Sequence, residues 1–200
     1  MNHDSKPDPQ KSSLPVSSRW FWAALIGVVL VIGVGWIVAS QALLSGSADG
    51  TSGALDAAPV AGHPAPDFEL STPNGESIRL SQFKGKPVVV NFWATWCGPC
   101  RAEFPEFQQA AVDNADTLVI LGVNSTSADQ AANVPPFLEE FGVTFPVVLD
   151  EDGDVVDAYN VLGLPTTVFI DSDGVINEVF TGPLNKAYIE SKISELQAGL

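Results

Sequence analysis

Val88-Val89-Val90-Asn91-Phe92-Trp93-Ala94-Thr95-Trp96-Cys97-Gly98-Pro99-Cys100 carries a strand, a turn and the start of a helix. Val88–Trp93 is short, apolar, and rich in β-branched and aromatic residues, as a buried strand is. Arg101 to Asn114 follows with amphipathic, helical spacing, so Cys97 falls on a strand-to-helix turn. Cys97 and Cys100 are the only cysteines in the chain. A Cys-x-x-Cys pair on such a turn points to reversible dithiol chemistry.

That chemistry needs these atoms at this spacing. A thiolate attacks a disulfide, and a second thiol then releases the product from the mixed disulfide. Cys97 is the expected attacker, because unpaired N–H groups and the helix dipole favour a thiolate at a helix N-terminus. Cys100, one turn on and more buried, is the expected resolving thiol. Pro99 suits the first helical turn, where its missing N–H would have no partner. Gly98 is expected to keep the turn free of bulk. A purely structural disulfide across so small a loop would add little stability. A structural zinc site needs four Cys or His ligands, and only His3 and His63 are available. No metal and no cofactor is expected.

The first 19 residues are polar, with Lys6, Lys11 and Arg19 against Asp4 and Asp8. Trp20 to Ala39 then runs without a charge, long enough as a helix to span about 30 Å of bilayer core. Trp20, Trp22 and Trp36 lie near its ends, where aromatic rings favour the interface. No Lys or Arg occurs between Trp20 and Ile78. The positive-inside rule therefore leaves residues 1–19 as a cytoplasmic tail and sends the C-terminal domain across the membrane. The expected transmembrane signal-anchor covers residues 20–44. A cleaved signal peptide is the rival, with Val38-Ala39-Ser40 suited to a peptidase. The apolar run exceeds the roughly 7–15 residues of such a segment, which favours an uncleaved anchor. Residues 45–65, rich in Ala, Gly and Ser, read as a flexible linker of roughly 25 Å typical span.

The formal charge of −15 argues against a nucleic-acid partner, which needs a basic footprint. Residues 66–200 suffice for one core. Phe68–Leu70 and Ser77–Leu80 flank Pro73-Asn74-Gly75 as a hairpin. Strands are expected at 88–93, 117–123, 145–149, 166–170 and 175–180, and helices at 97–114, 135–141, 151–159 and 185–196. The order predicts an α/β fold, a mixed sheet covered by helices. Glu103 lies three residues after Cys100 and so shares its helix face. A carboxylate partly buried there could exchange a proton with the resolving thiol. A surface Glu favoured by the helix dipole is the alternative.

The blocks Asn91–Pro105, Phe145-Pro146-Val147-Val148-Leu149-Asp150, and Tyr159 with Gly163-Leu164-Pro165-Thr166-Thr167 resemble the thioredoxin superfamily. More narrowly, they resemble the membrane-anchored ResA/TlpA-like thiol-disulfide oxidoreductases of the AhpC/TSA-Redoxin type. The resemblance implies a thioredoxin-like fold with an N-terminal β-hairpin and a helix-strand insert over about Pro135 to Leu149. It implies a redox-active Cys97–Cys100 disulfide and a proton-exchanging Glu103, where thioredoxin has a buried Asp at the position of Asn91. It further implies a cis Leu164–Pro165 bond beside the cysteines, although the residues alone allow an ordinary turn proline. Substrate would then meet Trp96, Gly98, Pro99, Leu164, Pro165 and Thr166.

The activity so implied is extracytoplasmic reduction of protein disulfides, with apocytochrome c (Cys-x-x-Cys-His) as substrate. A CcdA/DsbD-type membrane protein would be the electron donor. Gly98 departs from the Glu common between the cysteines in the cytochrome branch, which keeps a general envelope reductase open. A peroxiredoxin is disfavoured because both cysteines form one pair. A copper-binding assembly factor is disfavoured because no His follows His63.

Overall fold

The computed structural model describes Gly27 and residues 56–199. The expected cytoplasmic tail and all but Gly27 of the expected membrane span lie outside the described residues. Among the described residues no helix is long and apolar enough to cross a membrane. The chain divides between Gly53 and Ala54, and the second unit is the one described below.

Its strands are β1 (Glu69–Ser71), β2 (Ser77–Arg79), β3 (Val88–Trp93), β4 (Val119–Asn124), β5 (Val147–Leu149), β6 (Thr166–Ile170) and β7 (Ile176–Thr181). Its helices are α1 (Gly98–Asp113), α2 (Val134–Glu140), α3 (Asp154–Ala158) and α4 (Lys186–Ala198). They form one sheet in the order β2-β1-β5-β4-β3-β6-β7. β3, β4 and β5 run parallel. β6 pairs antiparallel with β3, and β7 with β6. The β1–β2 hairpin adds to the β5 edge. This is the thioredoxin-like arrangement, with the hairpin and the α2–β5 segment in their expected places.

Period-two alternation sends the two halves of β3 to opposite faces. Val89 and Trp93 pack in one core with Phe104 of α1 and Ile189 and Ile193 of α4. Val88, Val90 and Phe92 pack in the other with Val155 of α3 and Tyr159. In the first core Trp93 and Phe104 pack at 4.6 Å between ring centroids, and Phe137 of α2 lies 4.6 Å from Trp93. Gly122 of β4 makes room for this: a Cβ there would stand 3.1 Å from Trp93 Nε1 and 3.1 Å from Val147. Arg101 of α1 lies over Phe137 and Phe141 at 5.1 and 5.0 Å and pairs with Glu140, tying α2 to the cysteine helix.

Two expectations are corrected. The helix expected over 151–159 shrinks to Asp154–Ala158, because Gly153 takes φ +83° at its N-cap. The linker, expected to remain flexible to Ala65, is seated earlier. Gly62 N–H donates to Ile176 O (2.8 Å) and Ala65 N–H to Gly174 O (2.9 Å). A bridge joins Pro64 to Val175.

Candidate functional site

The parallel strand β3 delivers the chain to the N-terminus of α1, where Cys97 is the N-cap. The backbone N–H of Cys100 donates to Cys97 Sγ (3.2 Å), so the helix end turns one of its free first-turn donors to this sulfur as a cap. Pro99 sits in the first turn. Cys97 and Cys100 form a disulfide with Cα atoms 5.3 Å apart. Cys97 is 4% exposed and Cys100 fully buried, the order expected of attacker and resolver. Gly98 and Pro99 are exposed. A Cβ at Gly98 would meet nothing within 4 Å, so the turn does not need glycine for space.

Trp96 is 62% exposed and adjoins Cys97 in the chain. Its indole N–H donates to Ala128 O (2.9 Å), which holds the ring edge and leaves its face to solvent. The neighbouring Asp129 receives the Thr95 backbone N–H (2.6 Å), the Thr95 hydroxyl (2.7 Å), Asn124 Nδ2 (3.0 Å) and its neighbour Gln130 N–H (2.8 Å). Burial pushes the Asp129 carboxyl upward, but the donors from Asn124, Thr95 and Gln130 prevail and hold it below the ordinary value. The loop after β4 thus grips both residues that precede Cys97. Nothing in the sequence marks Asp129 for this, since it lies 34 residues from Thr95.

Behind Cys100 lies Glu103, only 1% exposed. This burial excludes the surface alternative. Its Oε1 accepts from Asn91 Nδ2 (2.9 Å) and its Oε2 from Leu184 N–H (2.9 Å). Burial pushes its carboxyl up to about 7, against the smaller opposing pull of these two donors. A carboxyl poised there near neutral pH can take and return a proton. Asn91 Nδ2 also donates to Thr167 Oγ1 (3.1 Å).

The Leu164–Pro165 bond is cis. Leu164 is half-buried and packs against both cores. Leu162, two residues earlier, is among the most exposed large apolar residues. Thr166 differs from its expected role at the substrate surface. It is buried, and its hydroxyl donates to Gly163 O (2.7 Å).

A cysteine pair capping a helix, backed by a buried carboxyl on this sheet, defines a thiol-disulfide oxidoreductase of the thioredoxin fold. The chain belongs to the AhpC/TSA family, whose pattern matches residues 61–179. The thioredoxin-like protein YneN of Bacillus subtilis is 42% identical over 133 residues, covering 66% of this chain and 78% of its own. The thiol-disulfide oxidoreductase ResA of Bacillus subtilis is 41% identical over 139 residues, covering 69% of this chain and 76% of its own. A crystal structure of a thiol:disulfide interchange protein of the thioredoxin family from Chlorobium tepidum superimposes with a TM-score of 0.60. It is 32% identical, over 72% of this chain and 99% of that one.

Proposed function

We propose that this protein is a membrane-tethered, extracytoplasmic reductase of protein disulfides. Its N-terminus is cytoplasmic, and the Cys-x-x-Cys-His site of apocytochrome c is its substrate. The observation that carries dithiol exchange is the buried Glu103 carboxyl one turn behind Cys100, while the reducing direction follows the family resemblance of the sequence. An acceptor there serves the step that turns a mixed disulfide into reduced product. The likeness to the thiol-disulfide oxidoreductase ResA supports thiol-disulfide exchange, the family resemblance of the sequence suggests the apocytochrome substrate, and the uncharged run Trp20–Ala39 supports the tether.

In the reduced enzyme the Cys97 thiolate attacks one sulfur of the substrate disulfide. That S–S bond breaks, the first substrate thiolate leaves and takes a proton, and Cys97 is joined to the other sulfur. Glu103 then accepts the Cys100 proton, and the Cys100 thiolate attacks Cys97 Sγ. The Cys97–Cys100 disulfide forms, and the second substrate thiolate departs and is protonated. Two electrons pass to the substrate. A CcdA/DsbD-type membrane dithiol returns two electrons to Cys97–Cys100. In this reading Trp96, Gly98, Pro99 and the Leu164–Pro165 segment, the positions that the family resemblance implies, receive the extended substrate.

The test is reduction of a disulfide-bonded Cys-x-x-Cys-His peptide by the full chain in detergent, with Cys97→Ser as control. Reduction by the wild type, abolished in the variant, supports the reading; no reduction by the wild type removes the cytochrome assignment. The exposed, side-chain-free Gly98 favours a second reading, a general envelope reductase. That reading predicts equal rates on a Cys-x-x-Cys-His peptide and an unrelated disulfide peptide. A reduction potential near or below roughly −270 mV fits either reductase, whereas one near roughly −120 mV marks a disulfide donor.

A further inference from the structure

Asn91 and Thr167 face one another across the β3–β6 register. Both are buried in the layer beneath α1. Asn91 Nδ2 spends one hydrogen on Glu103 Oε1 (2.9 Å) and the other on Thr167 Oγ1 (3.1 Å). A buried amide is costly unless its polar atoms are paired. We infer that Asn91 and Thr167 are positioning residues that keep Glu103 hydrogen-bonded in both of its proton states and so set how firmly it holds its proton. The inference rests on the reading of Glu103 as the proton acceptor for Cys100.

The chemistry of the three groups carries it. An ionised carboxylate only accepts, and the amide N–H donates to it, as in this structure. A protonated carboxyl needs an acceptor instead. The amide turned over offers Oδ1, with two lone pairs, at the same place. Oδ1 can accept from Glu103 there, and Thr167 Oγ1 can turn from acceptor to donor and complete the set. Only a hydroxyl allows both arrangements. A valine would serve neither, and a buried Asp in place of Asn91 would set two acids side by side. Among the described residues, the influences that shift the Glu103 proton balance are the burial itself, the Leu184 N–H and the Asn91 amide, all uncharged. Its own helix brings the Cys97–Cys100 disulfide, β3 brings Asn91, and the segment between β7 and α4 brings the Leu184 N–H. The amide is therefore the side-chain partner that can respond.

Removing the hydroxyl should penalise the ionised state. In Thr167→Val the amide still reaches Glu103, but its second N–H is buried without a partner. In the turned-over arrangement with protonated Glu103 no N–H is stranded at that place. The proton is then held more tightly. In Asn91→Ala the carboxylate keeps only the Leu184 N–H, and the effect has the same sign and is larger.

The experiment uses the full chain in detergent. Infrared difference spectra of the oxidised protein across the pH range read the Glu103 carboxyl band, assigned by its loss in Glu103→Gln. Stopped-flow traces read the pH profile of the resolving step on a small aromatic disulfide. The expected result is a band midpoint raised by about half to one pH unit in Thr167→Val, and by more in Asn91→Ala. Thr167→Ser should restore the wild-type midpoint, which a merely structural role would not require. If both variants fold and leave the midpoint in place, the inference is overturned while the Glu103 reading stands. If Glu103→Gln leaves the kinetic pH profile unchanged, the acceptor reading is overturned, and the inference falls with it.

Discussion

The two faces of β3 are built from one run of six residues and behave as different materials. Beneath α3 and Tyr159, Val88, Val90 and Phe92 meet a layer of aliphatic and aromatic side chains. Beneath α1, the same strand sets Asn91 between Val89 and Trp93, and Asn91 links Glu103 to Thr167. The first face is stabilised by removing apolar surface from water. The second gives up some of that gain to bury a titratable acid, Glu103, on the helix that carries the cysteines. Interior depth is therefore a tool for chemistry only on the face toward the cysteines.

The comparison can be broken most directly on the apolar face. Phe92→Ala should lower unfolding stability by about 3–5 kcal/mol, the usual cost of a large aromatic lost from a core. Per folded molecule, the pH profile of disulfide exchange should not move. A shifted profile in that variant would mean that the two faces are not separable.

The next effect is on the polar face and has the opposite sign. The Glu103 carboxyl is raised from 4.5 to about 7 in the folded protein. The folded state therefore binds the proton more tightly than the unfolded chain. Its contribution is full below pH 4.5 and is lost as pH rises to about 7, a fall of about 3 kcal/mol. Denaturant titrations of the oxidised protein should trace that fall, and Glu103→Gln should be flat across the same window. A parallel fall in the variant would assign the pH dependence to another group.

The smallest effect belongs to the loop that grips Thr95 and Trp96. Asp129→Ala should cost about 1 kcal/mol at neutral pH, because water reaches part of this site and replaces some of the lost bonds. The Asp129 carboxyl lies below its ordinary value in the fold. Its contribution is thus present above the unfolded value and is lost as pH falls through the folded one. Wild type and variant should converge in acid. A difference that persists there would point to packing rather than to the carboxylate.

The fold was legible in the sequence because each strand is a separate apolar run with turn residues at its ends. The weak points were those where tertiary contact overrules local pattern. Gly153 breaks the expected helix by its left-handed backbone. Residues 62–65 have linker composition yet find backbone partners at Gly174 and Ile176, in the β6–β7 turn and at the start of β7. In the site, Cys97, Cys100 and Glu103 were legible because they share one helix, and helical spacing alone relates them. Leu184 and Thr167 were not. They lie 81 and 76 residues from Glu103 and Asn91, and only strand register and helix docking bring them together. Thr166 came to the substrate surface only through the family resemblance, whereas β6 buries it.

The seat of residues 62–65 on the β6–β7 turn has a further result. Gly174 lies in the turn beyond Ile170, and Ile170 pairs with Val88, the end of β3 remote from Cys97. The incoming chain is thus moored at the stern and the dithiol rides at the bow. A bulky partner can come alongside the sulfurs without fouling the mooring.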